Sequence, residues 1–340
     1  MIKKPVLLLL LMLTLSSLKA QHIILLQKGK PTSIRGMSVV NDKVAWISGS
    51  KGYVALTKDG GKNWDWQQVK GFEKADFRSI VAFSDKKAVI MSSGTPALIL
   101  KTIDGGISWQ QKYKNTDTAY FFDAMDFANA DHGLVLGDPI KNKFVLLETK
   151  NAGETWNMFW NCPKASNAEA AFAASGTCLR FDSTMINIVT GGNYSRRLNF
   201  YCNYPDQSWT NDNTLLKHGK SSQGAFSVAE DGSVIIGGDY QNDKITDSIA
   251  QYYNYDGREV SPENGWFLAR RPPAGYQSCV ELIGNKIYLS TGTPGSNISK
   301  DGGKNWIKID DASYNVCRKA RHGTLVLLAG NNGAIGIFQP

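Results

Sequence analysis

Short apolar runs, each ending at a glycine or a turn, recur along the chain at Val44–Gly49, Ala88–Gly94, Gly133–Gly137, Met185–Gly191, Val234–Gly238, Lys286–Gly292 and Thr324–Gly330. Each follows another strand-like run: Ser33–Val40, Phe77–Phe83, Phe121–Phe127, Ala170–Cys178, Gly224–Val228, Ser278–Ile283 and Val316–Ala320. Runs of β-branched and aromatic residues bounded by Gly, Asn, Asp and Ser predict strands. Each of the first six pairs leads into a third strand, a tight turn and a fourth strand. Four short strands per repeating unit make a propeller blade, so the seven units predict an all-β, seven-bladed β-propeller occupying residues 21–340 as one domain. Strands that are apolar throughout, such as Leu325–Ala329, fit sheets covered by a neighbour on both faces.

The seventh unit ends at its third strand, Ala334–Phe338, and Ile23–Gln27 is a strand with no blade to open. The N-terminal strand is therefore expected to complete the last blade and close the ring, which removes open sheet edges.

The turns carry a second repeat. Thr57-Lys58-Asp59-Gly60-Gly61-Lys62-Asn63-Trp64 recurs at Thr102–Trp109, degraded at Thr149–Trp156, and again at Ser299–Trp306. Weaker copies lie at Asp206–Trp209 and Asn254–Gly257. Glycine after aspartate permits the positive φ of a tight hairpin. The hydroxyl and carboxylate can bond the turn's own amides, and the tryptophan pins the hairpin to its sheet. Asp59, Trp64, Asp104, Trp109, Trp156, Asp301 and Trp306 thus read as structural, and this Asp-box says little about activity.

Composition narrows the classes. Residues 1–20 read as a secretory signal: Lys3 and Lys4, an apolar Val6–Leu13 too short to span a bilayer, and small residues Ser16, Ser17 and Ala20 near a cleavage point. An exported, periplasmic or extracellular protein follows, with no transmembrane segment. Removal of Lys3, Lys4 and Lys19 takes the formal charge from +8 to +5. The remaining basic residues are scattered, which argues against nucleic acid. The five cysteines are irregularly spaced and the four histidines isolated, so neither a disulfide framework nor a metal site is indicated. No nucleophile elbow, phosphate loop or dinucleotide fingerprint occurs, so no cofactor is expected. A monomer is the expected state.

In a propeller the first strand of each blade lines the channel, so the starts of first strands and the ends of second strands share one mouth. That mouth is predicted to hold Arg35, Arg78, Asp123, Glu169, Gln223, Tyr276 and Arg318, with Lys51, Asp138, Arg196, Asp239 and Thr293 from second strands. Arg35, Arg78, Arg196 and Arg318 are ligand-binding candidates. Asp123, Asp138, Glu169, Asp239 and Tyr276 are catalytic candidates, because crowded carboxyls raise one another's pKa and suit general-acid work. The structural alternative is a set of channel salt bridges, with Arg196-Arg197 in a solvated loop and Asp126 and Asp131 in turns. Trp160 and Trp266 read as loop residues, either packing or a platform for a sugar.

The phrase Trp46-Ile47-Ser48-Gly49-Ser50-Lys51-Gly52 running into Thr57…Trp64, with Gly137-Asp138-Pro139, Glu169–Gly176 and Arg318-Lys319-Ala320, resembles the photosystem II assembly and stability factors and their short secreted bacterial relatives. The resemblance implies a seven-bladed propeller. It also implies recognition of a protein partner through an arginine patch, for which Arg35, Arg78 and Arg318 are candidates. Those relatives often carry the label oxidoreductase, which no cofactor motif here supports. The Asp-box also resembles bacterial sialidases, which imply an arginine clamp, an acid/base aspartate, and a tyrosine–glutamate pair matched here by Tyr276 and Glu169. The expected function is a binding or assembly module acting through the channel mouth on a protein or glycan ligand. The alternative is a glycan-active hydrolase using the same carboxyls. Two carboxyls beside an open pocket would favour hydrolysis; a plugged mouth would favour binding.

Overall fold

The computed structural model describes residues 21–203, 208–254 and 264–340. The segment 1–20, expected to be a secretory signal, and most of the two weak hairpin copies therefore lie outside the described residues. Among the described residues there is no α-helix; the chain forms seven antiparallel sheets. Five are four-stranded meanders in chain order, and their second strands begin and end within a few residues of the apolar runs that predicted them. The remaining two depart from that plan, one joining the two ends of the described chain and one in its middle.

The last sheet takes its outer strand from the other terminus. His22–Gln27 pairs antiparallel with Ile335–Gln339, in register from His22 opposite Gln339 to Leu25 opposite Gly336. The fifth sheet is enlarged. To its four strands are added Gly191–Gly192 and, outside that, Glu169–Ala170.

The first strands of the sheets are Ile34–Val39, Asp76–Ala82, Phe122–Phe127, Leu179–Phe181, Lys220–Val228, Cys279–Gly284 and Val316–Lys319. Each of these inner strands packs against the next, and Val316–Lys319 packs back against Ile34–Val39. Between neighbouring sheets lie apolar layers. One joins Trp46, Phe77, Ile90 and Leu100; another joins Ala250, Tyr252, Val280 and Trp306. Continuous apolar strands such as Ala88–Ser93, buried at every position, follow from being covered on both sides.

The hairpins close as their chemistry requires. Thr57 Oγ1 accepts the N–H of Gly61 at 2.9 Å, and Asp59 Oδ1 accepts the N–H of Asn63 at 2.9 Å. Trp64 Nε1 then donates to Gly61 O at 3.0 Å. The same bonds recur at Thr149–Trp156 and Ser299–Trp306. At Thr102–Trp109 the turn bonds are kept, but Trp109 instead packs edge-on to Trp46, centroids 6.2 Å apart. Gly60 and Gly61 have φ of 77° and 91°, a conformation that favours glycine. Bonds from the Asn63 backbone and side chain hold the Asp59 carboxyl down to about 2.

One first strand was misplaced by the sequence. Ala170–Cys178 is expected to be the inner strand of the fourth sheet, yet that strand is Leu179–Phe181. Ala171-Phe172-Ala173-Ala174-Ser175-Gly176 is apolar enough to resemble a strand, but its small side chains fit a crowded space rather than a sheet surface. Two further corrections follow. Asp126 is not a turn residue; it lies within Phe122–Phe127 and accepts the N–H groups of Phe127 and Phe181, each at 2.9 Å. Trp266 is not an exposed platform; it is 2% exposed in Trp266–Leu268, with the Arg197 guanidinium 5.4 Å from its ring centroid. Trp160, by contrast, is 65% exposed.

Candidate functional site

The segment 171–177 fixes the character of the end at which the inner strands begin. Arg35 Nη1 donates to Ala174 O at 3.3 Å, and Arg78 Nη1 to Ala173 O at 3.5 Å. The Ala171 N–H donates to Asp138 Oδ1 at 3.3 Å. Phe172 stacks on Phe226 at 3.8 Å, and Phe226 meets Tyr276 edge-on at 4.8 Å. Ser175 Oγ donates to Ser278 O at 2.7 Å, while Arg318 Nη2 donates to Ser175 O at 3.1 Å. Thr177 Oγ1 donates to Ser227 Oγ at 2.7 Å. One short segment is thus tied to six of the seven sheets. Gly176, at φ 71°, makes the turn, where an added Cβ would come within 3.1 Å of Ser79 Oγ.

The predicted mouth residues separate around this plug. Arg35, Arg78, Asp123, Asp138 and Tyr276 do converge. Arg78 Nε bonds Asp76 Oδ2 at 2.7 Å, and its guanidinium lies 5.8 Å from the Phe121 ring centroid. Asp123 is 1% exposed, and neither carboxyl oxygen has a hydrogen-bond partner. Burial, reinforced by Asp138 and opposed by Arg78, pushes its pKa well above the carboxylate range. Burial likewise raises Asp138 to about 6, against the Ala171 N–H bond that lowers it. The Tyr276 hydroxyl is driven up by burial, with Arg35 opposing.

The other predicted residues lie elsewhere. Glu169 is not at the start of an inner strand; it sits in the outermost addition to the fifth sheet. Its carboxylate takes Arg196 Nε at 3.0 Å and Nη2 at 2.5 Å, with Thr190 Oγ1 and the Ser166 N–H completing its shell. It makes no bond to Tyr276, so the sialidase-like pair does not form. Arg196 is no solvated loop residue; it is half-buried at the start of Arg196–Tyr201. Asp239 is buried, yet bonds from Asn242, Gln223 and Ser222 and the Gln241 N–H outweigh that burial and hold its pKa below the usual range. These bonds make it a turn anchor. Lys51 and Thr293 are exposed.

Arg318 faces the opposite end, and so does the open space. Where the inner strands finish, a cavity of about 730 Å³ opens between Val39, Val81, Phe127, Phe181 and the residues after Lys319, on the side of the hairpin turns. Its cations are Arg180, Arg318, Lys319 and Arg321, and its carboxyls are Asp126, Asp182, Glu230 and Glu281. Glu281 is fully engaged by Arg180 at 3.1 Å, Arg318 at 3.7 Å and the Lys319 N–H at 3.1 Å. Asp126 is taken up by backbone amides, and Asp182 caps its own turn. Burial works against the Arg180 charge, but Glu281 and Asp126 more than offset it. Arg321, an exposed residue, donates Nη2 to Ser38 Oγ at 3.0 Å and to Ala82 O. Arg180 donates through Nε and Nη2 and Arg321 through Nη2, and among the described residues neither Nη1 has an acceptor. Arg180 and Arg321 escaped the sequence reading because the starts of first strands and the ends of second strands, where it sought the site, lie at the other end. Among the described residues no His, Cys, Asp and Glu cluster forms a metal site, and no helix is long and apolar enough to cross a membrane.

A family model described as photosystem II assembly factor YCF48 matches residues 29–116 and 81–179. Over that part of its length the chain is similar to the YCF48 BNR-repeat family. Solved structures similar to it include a YCF48 bound to D1 peptide (16% identity, covering 94% of this chain and 97% of that one, TM-score 0.65). Another is YCF48 from Cyanidioschyzon merolae, at 15% identity, 94% and 99% coverage and a TM-score of 0.66. A third is virginiamycin B lyase from Staphylococcus aureus, at 11% identity, 94% and 99% coverage and a TM-score of 0.63. No curated protein matches the sequence. At these identities the likeness is one of fold, and a lyase among the neighbours illustrates why the YCF48-like fold alone does not decide chemistry.

Proposed function

We propose that this YCF48-like chain is an exported binding or assembly module, a seven-bladed ring closed by its N-terminal strand, that holds an acidic segment of a protein partner at the open end of its channel. The observation that carries the reading is the contrast between the two ends. The mouth expected to bind is occupied by 171–177, whereas the opposite end offers a 730 Å³ cavity with uncommitted arginine N–H groups. Asp126, Asp182 and Glu281 are taken up by amides and cations, which leaves Glu230 as the exposed carboxyl among four cations, and that excess of positive charge suits an incoming carboxylate. The succession of inner-strand contacts, returning from the last to the first, supports the ring. The YCF48 solved with D1 peptide supports a peptide as the kind of partner.

The glycan-hydrolase alternative has less support. Asp123 and Asp138 face the backbone of 171–177, so a sugar could reach them only by displacing that segment.

Fluorescence anisotropy with acidic peptides, and with the same peptides carrying Asn and Gln in place of Asp and Glu, tests the binding reading. The acidic set is expected to bind, with affinity falling about tenfold for Arg321→Glu, a change of ~1.4 kcal/mol. Equal binding of both sets, or an unchanged Arg321→Glu, would remove it. Export is tested separately, by fractionating cells that express the chain with and without residues 1–20.

A further inference from the structure

Cys279 and Cys317 are free thiols buried in the sheets next to the chain's seam, and they stand together. Cys279 opens the inner strand of the sixth sheet and Cys317 lies in that of the seventh, on strands that pack against each other. Ser278 Oγ donates to Asn315 O at 2.8 Å, fixing the two strands side by side at this level. Cys279 Sγ lies 3.3 Å from the carbonyl oxygen of Cys317 itself, which sets the two cysteines next to each other across the packed strands.

The surroundings treat the two sulfurs differently. Arg318 Nη1 is 3.4 Å from Cys279 Sγ, and Thr177 Oγ1 is 3.9 Å away. Burial raises the Cys279 thiol, but the Cys317 thiol and Arg318 outweigh it and bring it to about 6. Cys317 is pushed well above the ordinary thiol range by burial and by Cys279. The guanidinium beside it favours the thiolate at Cys279, whereas Cys317 has no cation in bonding contact among the described residues, the arrangement of an attacking and a resolving thiol. Access requires Arg318 to move aside. Both sulfurs are covered, but Arg318, which covers Cys279, lines the 730 Å³ cavity.

We infer that Cys279 and Cys317 form a dithiol modification site, oxidised by a small disulfide entering the cavity to give a covalent link between the sixth and seventh sheets. The Cys279 thiolate attacks one sulfur of the disulfide, giving a mixed disulfide and releasing one thiolate. Cys317 loses its proton and attacks the Cys279 sulfur, releasing the second thiolate. The protein is oxidised by two electrons and the reagent reduced to two thiols, one of which carries the Cys317 proton. The product clamps the sheet that unites the chain's two terminal strands and strips Arg318 of its sulfur partner.

Exposure alone orders the cysteines differently, which makes the inference testable. Cys162 and Cys202 are half-buried, whereas Cys279 and Cys317 are 0% exposed. Burial raises the Cys162 and Cys202 thiols. The folded chain is incubated with oxidised glutathione, quenched by acid, and mapped by non-reducing peptide mass spectrometry. The expected result is loss of two titratable thiols and a Cys279–Cys317 peptide, with a higher Tm that dithiothreitol reverses. Cys279→Ser should abolish the link, and Cys317→Ser should stop at a glutathione adduct on Cys279. Circular dichroism checks that each variant folds, and the wild-type map stands whether or not they do. Glutathione on Cys162 or Cys202 with Cys279 and Cys317 still reduced would overturn the inference, as would an unchanged thiol count.

Discussion

At the end where the inner strands begin, Arg35 and Arg78 give their N–H groups to the carbonyls of Ala174 and Ala173, and the nearby carboxyl of Asp123 is shut away from any partner. At the end where those strands finish, Arg180 and Arg321 retain N–H groups that no atom of the described residues accepts, around a cavity of about 730 Å³. Both ends collect the same residue types. The difference is seven residues of small-side-chain backbone, which satisfy one set of arginines and leave the other set to solvent. A charged mouth is therefore not in itself a site; what matters is whether its donors already have acceptors.

The comparison can be broken most severely at the base of the plug. Arg196→Met leaves the Glu169 carboxylate, with a side chain 0% exposed, without its cation. A loss of about 3–5 kcal/mol is expected in urea unfolding. A loss below ~1 kcal/mol would mean that this pair does not anchor the start of 171–177. Next in size is Phe172→Ala, which removes the ring stacked on Phe226. About 2 kcal/mol is expected for this half-buried side chain, together with faster amide exchange at Ala173 and Ala174. Exchange unchanged there would show that the arginines alone hold the segment.

The filled end should also respond to pH. Asp138 titrates at about 6 in the fold against 3.8 as its ordinary value. A carboxyl raised by folding contributes its stability fully below the ordinary value, and loses it as pH rises through the folded one. Stability should therefore fall between about pH 4 and pH 6, by about 2 kcal/mol after allowance for partial exposure. Asp138→Asn should flatten that slope, and an unflattened slope would assign it to another group. The smallest expected effect sharpens the other end. Arg321→Glu should cost about 1 kcal/mol of stability, from the lost bonds to Ser38 Oγ and Ala82 O, while weakening acidic peptides about tenfold.

Most of the architecture was legible because it repeats. Glycine-bounded runs located every second strand, and the hydroxyl, carboxylate and tryptophan of Thr57–Trp64 announced their own bonds. The spare strand at Ile23–Gln27 pointed to its partner because the last unit lacked one. The site was less legible for reasons of distance along the chain. Arg318 and Ser175 are 143 residues apart, and Arg35 and Ala174 are 139 apart. No local pattern records such a meeting. The one available signal was the string from Ala171 to Gly176, in which Phe172 is the single large side chain where a strand covering its neighbours would alternate several. Read as a strand, it hid the plug and made the wrong end look open.

The pairing of His22 with Gln339 brings the first and last described strands to one corner of a single sheet. A tether fused at either extremity would hold the molecule in nearly the same orientation. A short connector joining the two could turn the chain into a loop, leaving any exposed hairpin elsewhere free to serve as a new beginning.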